Sequence, residues 1–188
     1  MHFLSRAIGD AVTTIQGLAN LEAEVDRAAT IIGGALTGGK KLLVAGNGGS
    51  AADGADFATE FACRFSKDRA PFPAINLAAC GSLLTATGND YGFDEVFARG
   101  VRAFGVEGDV FVGITTSGNS PNILAALNAA RERGLHTIAL LGREGGAARG
   151  LADVELTVPG TATARIQEAH KFLLHVVCEM VDERWLLG

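Results

Sequence analysis

Short apolar runs alternate along this chain with longer segments whose apolar positions recur every three or four residues. Strand-like runs occupy residues 41–45, 74–78, 109–115, 136–141 and 153–158. Helical patterns occupy residues 51–64, part of 81–88, 94–104, 121–133 and 163–186, with a shorter turn-rich piece at 145–150. Short apolar strands separated by amphipathic helices predict a parallel sheet covered on both faces. Right-handed crossovers then give an α/β fold: a three-layer, doubly wound, five-stranded parallel sheet of flavodoxin-like type.

Ahead of the first strand, Leu4, Ile8, Val12, Ile15, Leu18, Leu21, Val25 and Ile32 recur mostly at steps of three and four. That is a helical pattern. Gly9 and Gly17 weaken it, and a bend or break is expected near Gly17. So much helix exceeds what covering one sheet requires. Residues 1–36 are therefore read as a helical extension that packs against another subunit; the alternative is a helix folded back on its own sheet.

Composition narrows the field. The chain has 188 residues, enough for one domain with one substantial core. Its net charge is −5 and no basic stripe occurs, which excludes a general electrostatic footprint for nucleic acid. Three widely spaced cysteines, Cys63, Cys80 and Cys178, suggest reduced thiols in a cytoplasmic protein and show no zinc-finger spacing. The first residues lack a signal-peptide core, and no uninterrupted run reaches the ~18 apolar residues of a membrane span. Neither a membrane association nor a nucleic-acid partner is expected.

Two loops carry candidate chemistry. Ala45-Gly46-Asn47-Gly48-Gly49-Ser50 follows the first strand and precedes a helix. Its glycines permit a sharp turn and close approach to a ligand, and Ser50 reads as the N-cap of a helix whose free N–H groups favour an anion. The glycines resemble part of a dinucleotide fingerprint. That reading requires an acid ending the second strand, but this strand ends Leu77-Ala78-Ala79, so no nucleotide cofactor is expected. The second loop, Thr115-Thr116-Ser117-Gly118-Asn119-Ser120, follows the third strand. Its four hydroxyls can surround a phosphate without a lysine. Ser120 with Pro121 also reads as a cap and first residue of the next helix. Both loops sit at strand carboxyl ends, where doubly wound folds bind ligands.

Two helices add titratable groups. Asp56 and Glu60 are four residues apart, hence on one helix face, with Asp53 adjoining. Such like charges repel. A cation, a hydrogen-bond donor or a shared proton relieves the conflict and can leave a carboxylate poised as a base; the plain alternative is a solvated acidic face. In the last helix, Gln167 and His175 lie eight residues apart, about 12 Å along the axis. They serve one small site more easily if different subunits contribute them.

Gly46-Asn47-Gly48-Gly49-Ser50, Gly88-Asn89-Asp90, Thr116-Ser117-Gly118-Asn119-Ser120 and Arg165-Ile166-Gln167-Glu168 occur in that order. Together they make the chain resemble the sugar isomerase (SIS) domain of the phosphoheptose isomerase family, from about residue 35 to 185. The whole of residues 1–188 is then one SIS domain. The resemblance implies conversion of sedoheptulose 7-phosphate to D-glycero-D-manno-heptose 7-phosphate, feeding heptose into surface polysaccharides. It also implies a homotetramer with active sites between subunits. By position, Glu60 matches the catalytic base and His175 the catalytic acid. Ser50, Thr115, Thr116, Ser117 and Ser120 match phosphate-binding hydroxyls. Asn47, Gly48, Gly49, Arg64, Asn89, Asp90 and Gln167 match positions near the sugar.

The chain departs from the family in two places: Ala164 stands before Arg165, where some members carry an acid, and Asp56 stands in the metal set. Many members carry histidine where Asp56 stands, and that histidine can join glutamate, glutamine and histidine around zinc. The corresponding metal set here is Asp56, Glu60, Gln167 and His175. Aspartate is a zinc ligand in its own right, but the change alters charge and reach. Related SIS proteins that bind the bacterial replication initiator without catalysis tend to lack the base glutamate and the final histidine; this chain has both. A sugar-phosphate sensor without turnover is the remaining alternative.

Overall fold

Strands β1 (Leu42–Gly46) and β3 (Val110–Thr115) are buried along their whole length, as strands covered on both faces must be. β2 (Ala74–Asn76), β4 (His136–Gly142) and β5 (Val154–Val158) complete the sheet. The computed structural model, which describes residues 2–186, orders them β2-β1-β3-β4-β5. All pairings are parallel, with Leu42 opposite both Ala74 and Val110, and Ile138 opposite Val154. Met1, Leu187 and Gly188, which the one-domain expectation includes, lie outside the described residues.

The pleat sorts side chains into two cores. Leu42, Val44, Val112, Ile138 and Leu156 face a layer formed by α2 (Glu22–Thr37), α3 (Gly49–Ala62) and α7 (Thr163–Val181), with Ile32, Phe57, Phe61 and Leu173 filling the space between. Leu43, Ala45, Phe111, Ala139 and Leu141 face the other layer. There α5 (Val96–Phe104) and α6 (Pro121–Glu132) supply Phe97, Val101, Ile123 and Leu127. α4 (Gly81–Tyr91) packs on α5. The three-layer α/β expectation is what the chain forms.

The chain direction switches between β1 and β3. From β1 the chain runs through α3 to β2 on one side, while β3 continues through α6 to β4 on the other. The loops after β1 and β3 therefore flank the topological switch point, with their helices on opposite faces.

Some boundaries differ from the sequence pattern, for local reasons. The second strand stops at Asn76 rather than residue 78, because Asn76 Oδ1 accepts a hydrogen bond from the Ala78 N–H at 3.0 Å and bends the chain into a 3-10 turn. α3 ends at Ala62, leaving Arg64 beyond it. α4 runs past Gly88 to Tyr91, so Asn89 and Asp90 lie in its last turn. α7 stops at Val181 and loosens into a π turn, Asp182–Leu186. The N-terminal helix breaks where Gly17 predicts: α1 (Phe3–Gly17) ends there and a 3-10 turn leads to α2. No residue of α1 is buried, and Phe3, Leu4, Ile8 and Val12 stand exposed along it.

Candidate active site

The two strand-end loops are tied together by a reciprocal amide pair. Asn47 Nδ2 donates to Asn122 Oδ1 and Asn122 Nδ2 donates to Asn47 Oδ1, each at 2.9 Å. Asn122 lies in the first turn of α6 and is buried. The pair fixes the glycine loop after β1 against the hydroxyl loop after β3. Sequence reading missed Asn122, since an asparagine one position past a proline carries no signal of a partner 75 residues away.

Within the hydroxyl loop, Thr115 Oγ1 lies 2.9 Å from Ser120 Oγ and 3.4 Å from Ser117 Oγ. Ser117 Oγ also accepts from the Asn119 N–H at 3.1 Å. Ser120 occupies the N-cap position of α6, as expected, but its hydroxyl does not cap the helix and pairs with Thr115 instead. Pro121 has no N–H and the Ile123 and Leu124 N–H groups donate to the Ser120 carbonyl, so the Asn122 N–H is the first-turn donor of α6 left to face an anion. Gly118 shapes the loop. Its φ is +68°, and a Cβ there would lie 2.0 Å from the Gly145 carbonyl oxygen. In the first loop the N-cap is Gly48, not Ser50; Gly48 has φ 54°, the helix begins at Gly49, and Ser50 is buried in the first turn.

α3 and α7 both start at this end of the sheet and pack side by side. Down their seam, Gly49, Asp53, Asp56 and Glu60 face Gln167, Lys171, His175 and Cys178, at steps of three and four on each helix. The Gln167 amide lies directly over Gly49, where a Cβ would come within 2.1 Å of Nε2; only glycine admits this approach. One turn on, Lys171 Nζ pairs with Asp56 Oδ2 and stands 3.7 Å from Asp53 Oδ1. Asp53 is buried, and its Oδ2 has no partner among the described residues. Burial raises the Asp53 carboxyl above the usual carboxylate range, against the opposing pull of Lys171 and the Gln167 amide. Asp53, Ala164, Gln167, Glu168 and Lys171 line a cleft of about 440 Å³.

At the far end of the seam, Glu60 is half-buried and has no ion-pair partner among the described residues. Burial first, and then the Glu60 carboxylate, push the neighbouring Cys178 thiol well above its ordinary range. The helix end carrying Glu60 is held by Arg69. Its guanidinium donates to the Glu60 carbonyl at 2.6 Å and the Phe61 carbonyl at 3.1 Å, and pairs with Asp182 at 2.9 Å. These carbonyls lie in the last turn of α3, where helical N–H partners run out, so Arg69 acts as its cap, and the Phe72 N–H also donates to the Phe61 carbonyl at 3.0 Å. The His175 ring packs against Phe65, centroids 5.8 Å apart. No ion pair joins Glu60 and His175 within the chain, among the described residues.

Residues 8–142 match the SIS domain family. Phosphoheptose isomerase of Geobacter sulfurreducens is 54% identical over 156 residues, which cover 83% of this chain and 82% of that protein. The structure of phosphoheptose isomerase from Neisseria gonorrhoeae superposes with a TM-score of 0.90 at 42% identity, covering 96% of this chain and 97% of that one. The corresponding structure from Francisella tularensis gives 0.90 at 37% identity, covering 98% and 100%. The chain belongs to the phosphoheptose isomerase family. It is thereby an enzyme of the aldose–ketose isomerase class.

The chain brings only part of the family's expected site residues together. Asn47, Gly48, Gly49, Ser50 and Gln167 meet at the start of α3, while Thr115, Thr116, Ser117 and Ser120 form the adjoining loop. Asn89 and Asp90 are exposed and hydrogen-bonded to each other at 2.8 Å. Arg64 is exposed beyond α3. Besides Asn122, the polar group that sequence reading left out of the site is Lys171, and Asp53, noted only as adjoining the acidic face, lies inside it.

The expected metal set of Asp56, Glu60, Gln167 and His175 does not fit one ion within this chain. Ligand atoms of a tetrahedral zinc lie about 2 Å from the metal, hence within about 4 Å of one another. Here the Gln167 amide sits at the first residue of α3, whereas the His175 ring sits with Phe65 beyond its last. Asp56 is already paired with Lys171. Among the described residues, no three His, Cys, Asp or Glu side chains are grouped to hold a metal.

Proposed function

We propose that this chain interconverts sedoheptulose 7-phosphate and D-glycero-D-manno-heptose 7-phosphate through an enediolate, supplying heptose for surface polysaccharides. The observation that carries the reading is α3 itself. It begins in the glycine loop beside the hydroxyl loop and carries Glu60 three turns further on, unpaired among the described residues. Phosphate docks on Ser117, Thr116 and Ser120 at the start of α6, where a helix end favours an anion. That anchor holds the sugar chain so that its reacting carbons meet the base. Glu60 takes the C1 proton and returns it at C2. His175 moves a proton between the two oxygens. A carboxylate base and an imidazole acid suit this transfer near neutral pH.

Glu60 and His175 act together across a subunit interface in this reading. Two features support association between subunits, in a homotetramer in this reading: the two residues do not pair within one chain among the described residues, and α1 carries an exposed apolar stripe of Phe3, Leu4, Ile8 and Val12. Among the described residues no helix is long and apolar enough to cross a membrane, which is compatible with work in the cytoplasm.

The test is Glu60→Gln, assayed with sedoheptulose 7-phosphate by following the aldose product. Loss of a general base lowers kcat by about 10²- to 10⁴-fold. The oligomer, measured by light scattering, stays as in the parent. Parent-like turnover in the variant removes Glu60 from its role. Absence of turnover by the parent chain itself removes the reaction.

A further inference from the structure

We propose that Lys171 is the resident cation of this site, built into the chain where a divalent metal would otherwise neutralise the α3 carboxylates. The inference rests on the proposed isomerase reading, in which α3 and α7 supply the groups of the reaction site. Four observations carry it.

The Lys171 ammonium contacts Asp56, the one position of the expected metal set that departs from the family's histidine. It also faces Asp53 at 3.7 Å. Asp53 is buried, and Lys171 is its only cationic neighbour among the described residues. Swinging the lysine away on its own would leave a buried carboxylate without its cation, which holds the ammonium where it stands. Finally, Lys171 lies halfway between Gln167 and His175 on the same helix, so its ammonium stands between two positions of the expected metal set.

The chemistry is consistent with enediolate formation. An ammonium is a compact charge with three donors. Beside the cleft lined by Gln167 and Lys171 it can favour a developing oxyanion by charge and hydrogen bonding. The aspartate at position 56 then has a plain physical reason: a carboxylate balances the ammonium, whereas a neutral imidazole does not.

The experiment counts metal on the intact oligomer. Chelator-treated protein is dialysed against micromolar zinc, and bound metal is measured by elemental mass spectrometry. The wild-type chain retains below about 0.1 zinc per chain. Lys171→Met, which keeps the stem and removes the charge, binds zinc and cobalt at least about tenfold more tightly. The double variant Asp56→His with Lys171→Met binds more tightly again and shows the visible absorption of tetrahedral cobalt. Lys171→Arg, which keeps the charge, stays metal-poor. About one zinc per wild-type chain surviving dialysis overturns the proposal, and this arm needs no variant to fold. Equal affinity in wild type and folded Lys171→Met overturns it too. Metal counts require no substrate, so a failure of the proposed isomerisation is read separately, in a turnover assay on the same samples.

Discussion

Lowering the pH tests the packing of α7 on the sheet through one residue, His170. Its side chain is fully buried, with Nε2 at 2.9 Å from the Leu141 carbonyl oxygen of β4. The carbonyl is an acceptor, so Nε2 carries the proton and donates it, and the ring is neutral. Nδ1 is buried without a partner among the described residues. Desolvation dominates and holds the imidazole down at about 4, against an ordinary 6.5; the bond to Leu141 opposes it only in part. Above about pH 6.5 both folded and unfolded states are neutral at this residue and it adds no pH dependence. Below that, the unfolded chain binds a proton that the folded chain refuses, so stability falls as pH falls through the window from 6.5 to about 4. At about 1.4 kcal/mol per pH unit, the window is worth about 3 kcal/mol. Other groups titrate in the same range, so the measurement is a difference. His170→Gln keeps a donor toward Leu141 but cannot ionise. Urea unfolding, followed by circular dichroism at fixed protein concentration from about pH 7.5 to about pH 4, gives one stability curve for each protein. The wild-type curve falls by about 3 kcal/mol more than the variant's. Parallel curves refute the assignment of a neutral, desolvated His170.

Gly118→Ala places a Cβ on a residue with φ +68°, 2.0 Å from the Gly145 carbonyl. It costs about 1–3 kcal/mol of stability, and the displaced loop raises KM for the phosphorylated sugar; unchanged stability in urea counts against the loop geometry. Among the thiols, exposed Cys63 reacts with an aromatic disulfide reagent in the native protein, while buried Cys178, its thiol pushed up by burial and Glu60, reacts only on unfolding. Native labelling of Cys178 at the Cys63 rate contradicts this.

The strand–helix order, the strand-end position of both loops and the break at Gly17 were legible because backbone period and apolar burial act over a few neighbouring residues. Boundaries shifted where a side chain redirected the backbone, as Asn76 does in ending β2. Helix caps shifted too. Gly48 rather than Ser50 is the N-cap of α3, because its positive φ turns the chain there, and the Ser120 hydroxyl, free by sequence to cap α6, found Thr115 across the loop.

By itself, the sequence determined the doubly wound fold, the pair of phosphate-suited loops and the acidic stripe on α3. Only the tertiary structure decided what meets that stripe. Docking α3 parallel to α7 set Lys171 against Asp56, 115 residues away, and the Gln167 amide over Gly49. The same packing buried Asp53 and left Asp56 exposed, and made His170 rather than His175 the histidine of the core. Helical period fixes which residues share a face. It does not fix which face of another element lies opposite, because that depends on how apolar side chains from distant segments fill a common interior.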